Sequence, residues 1–152
     1  MNNIKMVAPC LFGIESIAAD EFRRMGFTDV NAENGRVLLS GDDNMLARAN
    51  INSRFAERIL INIGQFSATS FTELFDNVKA LEWERYIGRD DAFPVNGWSI
   101  DSALHSIPDC QSIIKKAIVD RLSLKYGIKW FSETGPEYRV RFSIRKNEVT
   151  MM

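Results

Sequence analysis

SALHSIPDCQSIIKKAIVDRLSLKYG, residues 102–127, is the stretch on which the fold turns. Its spacing predicts one long helix with a marked start and stop. Ser106 or Asp109 can cap the start, and Pro108 falls where a first turn tolerates a missing N–H. Gly127 suits the position just past the end. Ile114, Ala117, Ile118 and Leu122 recur at helical spacing and form one apolar stripe, with Lys115, Lys116, Ser123 and Lys125 largely off it. The helix is expected to bury one side in a core and to offer cations on another as a working surface.

Toward the carboxyl end, Tyr138–Arg145 alternates. Tyr138, Val140, Phe142 and Ile144 share one face of a strand, and Arg139, Arg141, Ser143 and Arg145 share the other. Lys146 and Asn147 can turn into a last strand beginning at Val149, cut at Met152 and left as an open edge; the chain reads as a piece of something longer. Toward the amino end, Ala92–Leu104 is expected to hold a strand interrupted near Asn96-Gly97, and Leu81–Ile87 a short aromatic helix. Ser70 with Glu73 makes a capping box for a helix over Phe71–Lys79, with Phe71, Leu74, Phe75 and Val78 as its apolar face.

Before that lies a unit of different rhythm. Ile4–Ala8 reads as a strand and Gly13–Met25 as a helix with Ile14, Ile17, Ala18, Phe22 and Met25 on one face. Asn34-Gly35 between Thr28–Glu33 and Arg36–Ser40 is a strong hairpin signal. Asp42 or Asp43 caps a helix to about Asn50. Glu57–Phe66, with Ile59, Ile61 and Ile63 at period two, reads as one strand. Strand, helix, strand, strand, helix, strand is the ferredoxin-like order, an antiparallel sheet with helices on one face. The fold class expected is α+β, with a ferredoxin-like domain over 1–66 and an α/β domain over 67–152.

Composition is that of a soluble globular protein: 45% of the 152 residues are hydrophobic and 26% charged. No apolar run approaches the roughly 20 residues that cross a bilayer, so no membrane role is expected, and the amino-terminal run does not read as a signal peptide. Cys10 and Cys110 give neither a metal spacing nor a disulfide framework and read as buried free thiols in a cytoplasmic protein. Net charge is −1, but residues 110–152 hold nine Lys/Arg against four Asp/Glu, whereas residues 64–109 hold three against eight. That asymmetry fits a polyanion contact in the last third, or an ordinary solvated surface.

Catalytic constellations are nearly absent. His105 is the one histidine. It reads first as a packed or capping residue, and second as a phosphate or ribose contact beside the helix N-terminus. Asp42/Asp43 and Asp90/Asp91 read as caps and turns. There is no Gly-rich phosphate loop and no sign of a cofactor site. The candidates for phosphate contacts are Lys115, Lys116 and Lys125 of the helix and Arg139, Arg141 and Arg145 of the strand. Trp98 and Trp130 can stack on bases, although core packing is the commoner fate of a large ring.

The segments PCLFGIESIAADEFRRMGF (9–27), FTELFDNVKALEWERYI (71–87), LHSIPDCQSIIKKAIVDRL (104–122) and WFSETGPEYRVRFSI (130–144) resemble the amino-terminal half of bacterial large-subunit ribosomal RNA guanine-N2 methyltransferases. The resemblance implies a ferredoxin-like domain followed by a THUMP domain, an RNA-binding module. It also implies a separate Rossmann-like domain that binds S-adenosylmethionine and carries an Asn-Pro-Pro-Tyr-type motif. Nothing in residues 1–152 matches that motif, so no residue here is assigned to catalysis, cofactor or metal. The expected partner is RNA, of the large ribosomal subunit, and not DNA. The family commonly shows Lys-Ser-x-Leu-His-Ser where this chain has Asp101-Ser102-Ala103-Leu104-His105-Ser106. An anion thus stands for a cation, and either RNA docks less strongly there or neighbouring cations compensate. The competing expectation is a protein-interaction domain, or a degenerate paralogue without RNA binding.

Overall fold

The structure is a computed structural model and describes residues 3–152. The α+β chain forms two compact units, Met1–Asn62 and Ile63–Met152. In the first, the order is β1 (Ile4–Pro9), α1 (Glu15–Arg24), β2 (Asp29–Glu33), β3 (Arg36–Gly41), α2 (Asp43–Asn52) and β4 (Leu60–Ile61). The antiparallel sheet runs β2-β3-β1-β4, as a ferredoxin-like order requires.

The hairpin closes at Asn34-Gly35, where Gly35 takes a φ of 73° that glycine accepts without strain. The Glu15 carboxylate accepts from the Gly35 and Gly13 amides, 2.9 Å each, tying that turn to the head of α1. Those amides, Gly35 foremost, hold the Glu15 carboxyl below its usual range. Asp42 caps α2 by accepting from the Met45 amide at 2.9 Å. The core gathers Met6, Ala8, Ala18, Ala19, Phe22, Val37 and Leu39. Ile17, expected on the buried face of α1, is 49% exposed. Its neighbours Ala18 and Ala19 face the sheet instead, because small side chains let the helix sit close.

The second unit runs β5 (Gly64–Ser67), α3 (Phe71–Ala80), a 3-10 turn (Trp83–Arg85), β6 (Val95–Ile100), α4 (Ile107–Tyr126), β7 (Val140–Arg145) and β8 (Glu148–Met151). Its sheet is ordered β5-β8-β7-β6, with β6 and β7 parallel and the other pairs antiparallel. Ser70 accepts from the Glu73 amide at 3.2 Å, and the Glu73 carboxylate returns to the Thr69 amide at 2.7 Å. The stripe Ile114, Ala117, Ile118 and Leu122 is wholly buried with Leu74, Val78, Trp83, Phe142, Ile144, Val149 and Met151.

Several expectations give way. Glu57–Phe66 is not one strand: the Asn62 amide donates to Lys5 in the first sheet, and the next amide, Ile63, donates to Met151 in the second. The aromatic segment after α3 makes only a 3-10 turn. The long helix starts at Ile107 rather than Ser102; residues before it bend through Asp101, whose φ is 49°. Ser106 is the N-cap residue, but its side chain makes no capping bond. Asn96-Gly97 does not interrupt β6. Gly97 lets β6 lie tight on β7, since a Cβ there would stand 2.2 Å from the Phe142 carbonyl oxygen. Phe71 is 39% exposed and lies at the margin of its face. Lastly, β8 is no edge strand: it pairs with β5 on one side and β7 on the other.

Candidate nucleic-acid interface

The cations singled out in the sequence sort by what they touch. Lys115, expected on the working surface, is engaged internally. Its ammonium donates to the Phe93 carbonyl at 3.0 Å, pairs with Glu133, and sits 3.6 Å from the Phe93 ring centroid. Arg121 makes a two-point pair with Glu84, at 3.0 and 2.5 Å, and its hydrogen bonds hold the Glu84 carboxyl below its usual range. Arg139 pairs with Glu137, which pushes the guanidinium pKa further up. Arg145 is exposed but has an internal partner as well. Lys116, Lys125 and Arg141 have no carboxylate within salt-bridge distance among the described residues.

These side chains do not form one patch. Lys116 and Lys125 are nine residues apart, two and a half turns, and so leave α4 on opposite sides. Val140, Phe142 and Ile144 point into the core beneath α3 and α4, so Arg141 and Arg145 lie on the reverse of the sheet. The sequence could name the cations but not the layer each occupies. His105 is exposed where the chain enters α4, its Nδ1 3.1 Å from the Ala103 carbonyl oxygen; it neither packs nor caps.

Trp83 is buried, its indole N–H donating to Val78 at 2.8 Å. Trp98 and Trp130 are 42% and 85% exposed, against the expectation of core packing. Sequence reasoning also missed Lys79. Its ammonium lies 5.6 Å from the centroid of the Phe75 ring, and that of Lys116 lies 5.9 Å from the same centroid. The signal was the placement of Phe75 and Lys79 one turn apart on α3.

Both thiols are free and buried, and burial pushes their pKa values up, which keeps them protonated and poor nucleophiles. Asp91 accepts from the Gly88 amide at 2.6 Å and Asp90 from the Ser132 hydroxyl at 3.3 Å, so both acids serve turns and loops. Among the described residues, no three His, Cys, Asp or Glu side chains cluster so as to hold a metal. Nor is any helix long and apolar enough to cross a membrane.

A ferredoxin-like unit followed by an α/β unit with a parallel β6–β7 pair describes a two-domain α+β protein. The RlmL ferredoxin-like domain model matches residues 5–60 and the THUMP domain model matches residues 68–152. The chain belongs to the THUMP domain family. It is 41% identical, over 97% of its length, to YpsC of Bacillus subtilis, provisionally named an RNA methyltransferase, and covers 39% of that protein. It is 24% identical to the ribosomal RNA large subunit methyltransferase K/L of Pseudomonas entomophila, covering 99% of this chain and 21% of the relative. A predicted N6-adenine-specific DNA methylase of Listeria monocytogenes superposes with a TM-score of 0.94 at 46% identity, over 99% of this chain and 40% of that one. The chain thus spans two fifths or less of these relatives.

Proposed function

We propose that this chain is the RNA-recognition portion of a ribosomal RNA methyltransferase acting on guanine N2 of the large subunit. In this reading it holds RNA for a catalytic domain that binds S-adenosylmethionine and lies outside residues 1–152, in the cytoplasm. One observation supports it above the others: in the THUMP unit Lys116, Lys125 and Arg141 meet no carboxylate among the described residues. Cations not committed to an ion pair suit phosphates, which dominate affinity without reading sequence. His105 and Arg145 are weaker candidate contacts, while Lys115 and Arg139 act first within the fold. Two of the relatives are named for RNA methylation and one for DNA methylation, and the THUMP match supports reading the partner as RNA.

The test is a salt titration of binding to a structured ribosomal RNA fragment and to a DNA duplex. Replacing Lys116, Lys125 and Arg141 by Glu should weaken RNA binding and flatten the salt slope by about 0.7–0.9 per lost contact. Unchanged affinity and slope, or tighter binding to DNA, overturns the proposal. A protein-interaction role is the second reading, favoured by Phe12 and Ile51 of the first unit, which are 82% and 80% exposed. It requires a protein partner and no RNA affinity at physiological salt.

A further inference from the structure

The side of α4 that faces α3 ends in an unusual arrangement. Lys116, Asp120 and Leu124 succeed one another at four-residue steps along α4, beside Phe75 and Lys79 of α3. Where α4 stops, Lys79, Asp120, Ser123, Leu124 and Lys129 line an open notch of about 430 Å³. Leu124 is 77% exposed there. The residue after Lys129 is Trp130, with only 15% of its surface covered, given its 85% exposure.

The loop bearing Trp130 is held at several points. Phe131 packs edge-on against Phe93, ring centroids 5.8 Å apart, and Glu133 is paired with Lys115. The Ser132 hydroxyl reaches Asp90, and the Gly135 amide donates to the Asp90 carbonyl at 2.7 Å. An indole shown to water by a pinned loop is preorganised for a flat partner, because little ordering remains to be done on contact. The charge of the surroundings says which partner. Two lysines, Lys79 and Lys129, line the notch against one acid, Asp120, which lies 3.7 Å from Lys79; Lys116 stands one turn before Asp120 on α4, beside the Phe75 ring. The carbonyl end of α4 disfavours anions by itself, so the lysines must supply the attraction.

We propose that this groove is a track for unpaired RNA, with phosphates on Lys116, Lys79 and Lys129 and one unstacked base on the Trp130 indole. The inference rests on the RNA reading above and adds the chemical class of RNA: single-stranded, because a base in a duplex offers no free face. From Lys116 to Gly127 the helix rises about 16 Å, room for a few nucleotides.

The experiment compares the whole chain with Trp130→Ala, Trp130→Phe and a Lys79→Glu/Lys129→Glu double variant. The probes are short oligoadenylate, an abasic ribose-phosphate strand of equal length, and a blunt RNA hairpin. Trp130 is so exposed that its loss leaves the fold intact, which circular dichroism checks. The expected result is oligoadenylate binding about 10-fold weaker in Trp130→Ala, largely kept in Trp130→Phe, and lost in the lysine variant. Hairpin binding should not change with Trp130. Equal oligoadenylate affinity in wild type and Trp130→Ala, or an abasic strand binding as well as oligoadenylate, overturns the track. In either case hairpin binding that still depends on Lys116, Lys125 and Arg141 leaves the RNA reading standing. A wild-type chain that binds none of the probes overturns both.

Discussion

Replacing Gly97 by Ala should be among the most damaging single-methyl additions in the second unit. The new Cβ would stand 2.2 Å from the Phe142 carbonyl oxygen and 2.5 Å from Phe142 Cγ, where ordinary contact begins at 3.4 Å. The obstacle is neighbouring backbone, so no rotamer change relieves it. Parallel strands β6 and β7, paired from Val95–Val140 to Ile100–Arg145, must part locally. Overpacking of about 1–3 kcal/mol and one or two weakened ladder bonds at about 1 kcal/mol each give a loss of about 3 kcal/mol. Gly127→Ala is the control: nothing lies within 4 Å of its Cβ, and only its φ of 65° is strained. That costs about 1 kcal/mol. All three tryptophans, Trp83, Trp98 and Trp130, lie in this unit, so indole emission reports its unfolding alone. In urea, with a slope of about 1.5 kcal/mol/M, the Gly97→Ala midpoint should fall by about 2 M. A midpoint no lower than that of Gly127→Ala would show that β6 and β7 are not in such close register, and the reasoning fails.

The Glu84–Arg121 pair predicts a pH dependence. Because the folded Glu84 pKa is lowered by Arg121, its contribution is present above the unfolded carboxyl value and is lost as pH falls toward the folded one. Glu84→Gln should therefore be less stable near neutrality by about 1–2 kcal/mol, with the gap closing below about pH 4; urea midpoints that differ equally at both pH values count against the pair. Lys115→Met should lower stability by about 1 kcal/mol through loss of its Phe93 and Glu133 contacts. It should leave the salt slope of RNA binding unchanged, and a flattened slope would make Lys115 an RNA contact after all.

Much of the architecture is legible in the chain because local signals agree with tertiary packing. Asn34-Gly35, Asp42, Ser70 with Glu73, and Gly127 each mark a boundary whose chemistry is local. Where neighbours decide, the pattern misleads. Asn96-Gly97 looks like a break, yet Gly97 is there for Phe142, far along the chain. Ile59, Ile61 and Ile63 alternate as one strand would, yet adjacent amides at Asn62 and Ile63 serve different sheets. The candidate interface suffers most. A lysine's partner depends on which loop passes over it, so Lys115 and Lys116 look alike in sequence while only one is held by Glu133. Nor does an exposed Trp130 differ, in sequence, from a buried Trp83.

Strand β8, seated between β5 and β7, also bears on how the second unit is made. Gly64 faces Met151 across the sheet, so nearly the whole unit must leave the ribosome before that row of bonds can close. Until then β5 offers a bare flank to any extended peptide nearby, whereas β7 meets β8 across the two-residue turn at Lys146-Asn147. The distant pairing of β5 with β8 slows folding.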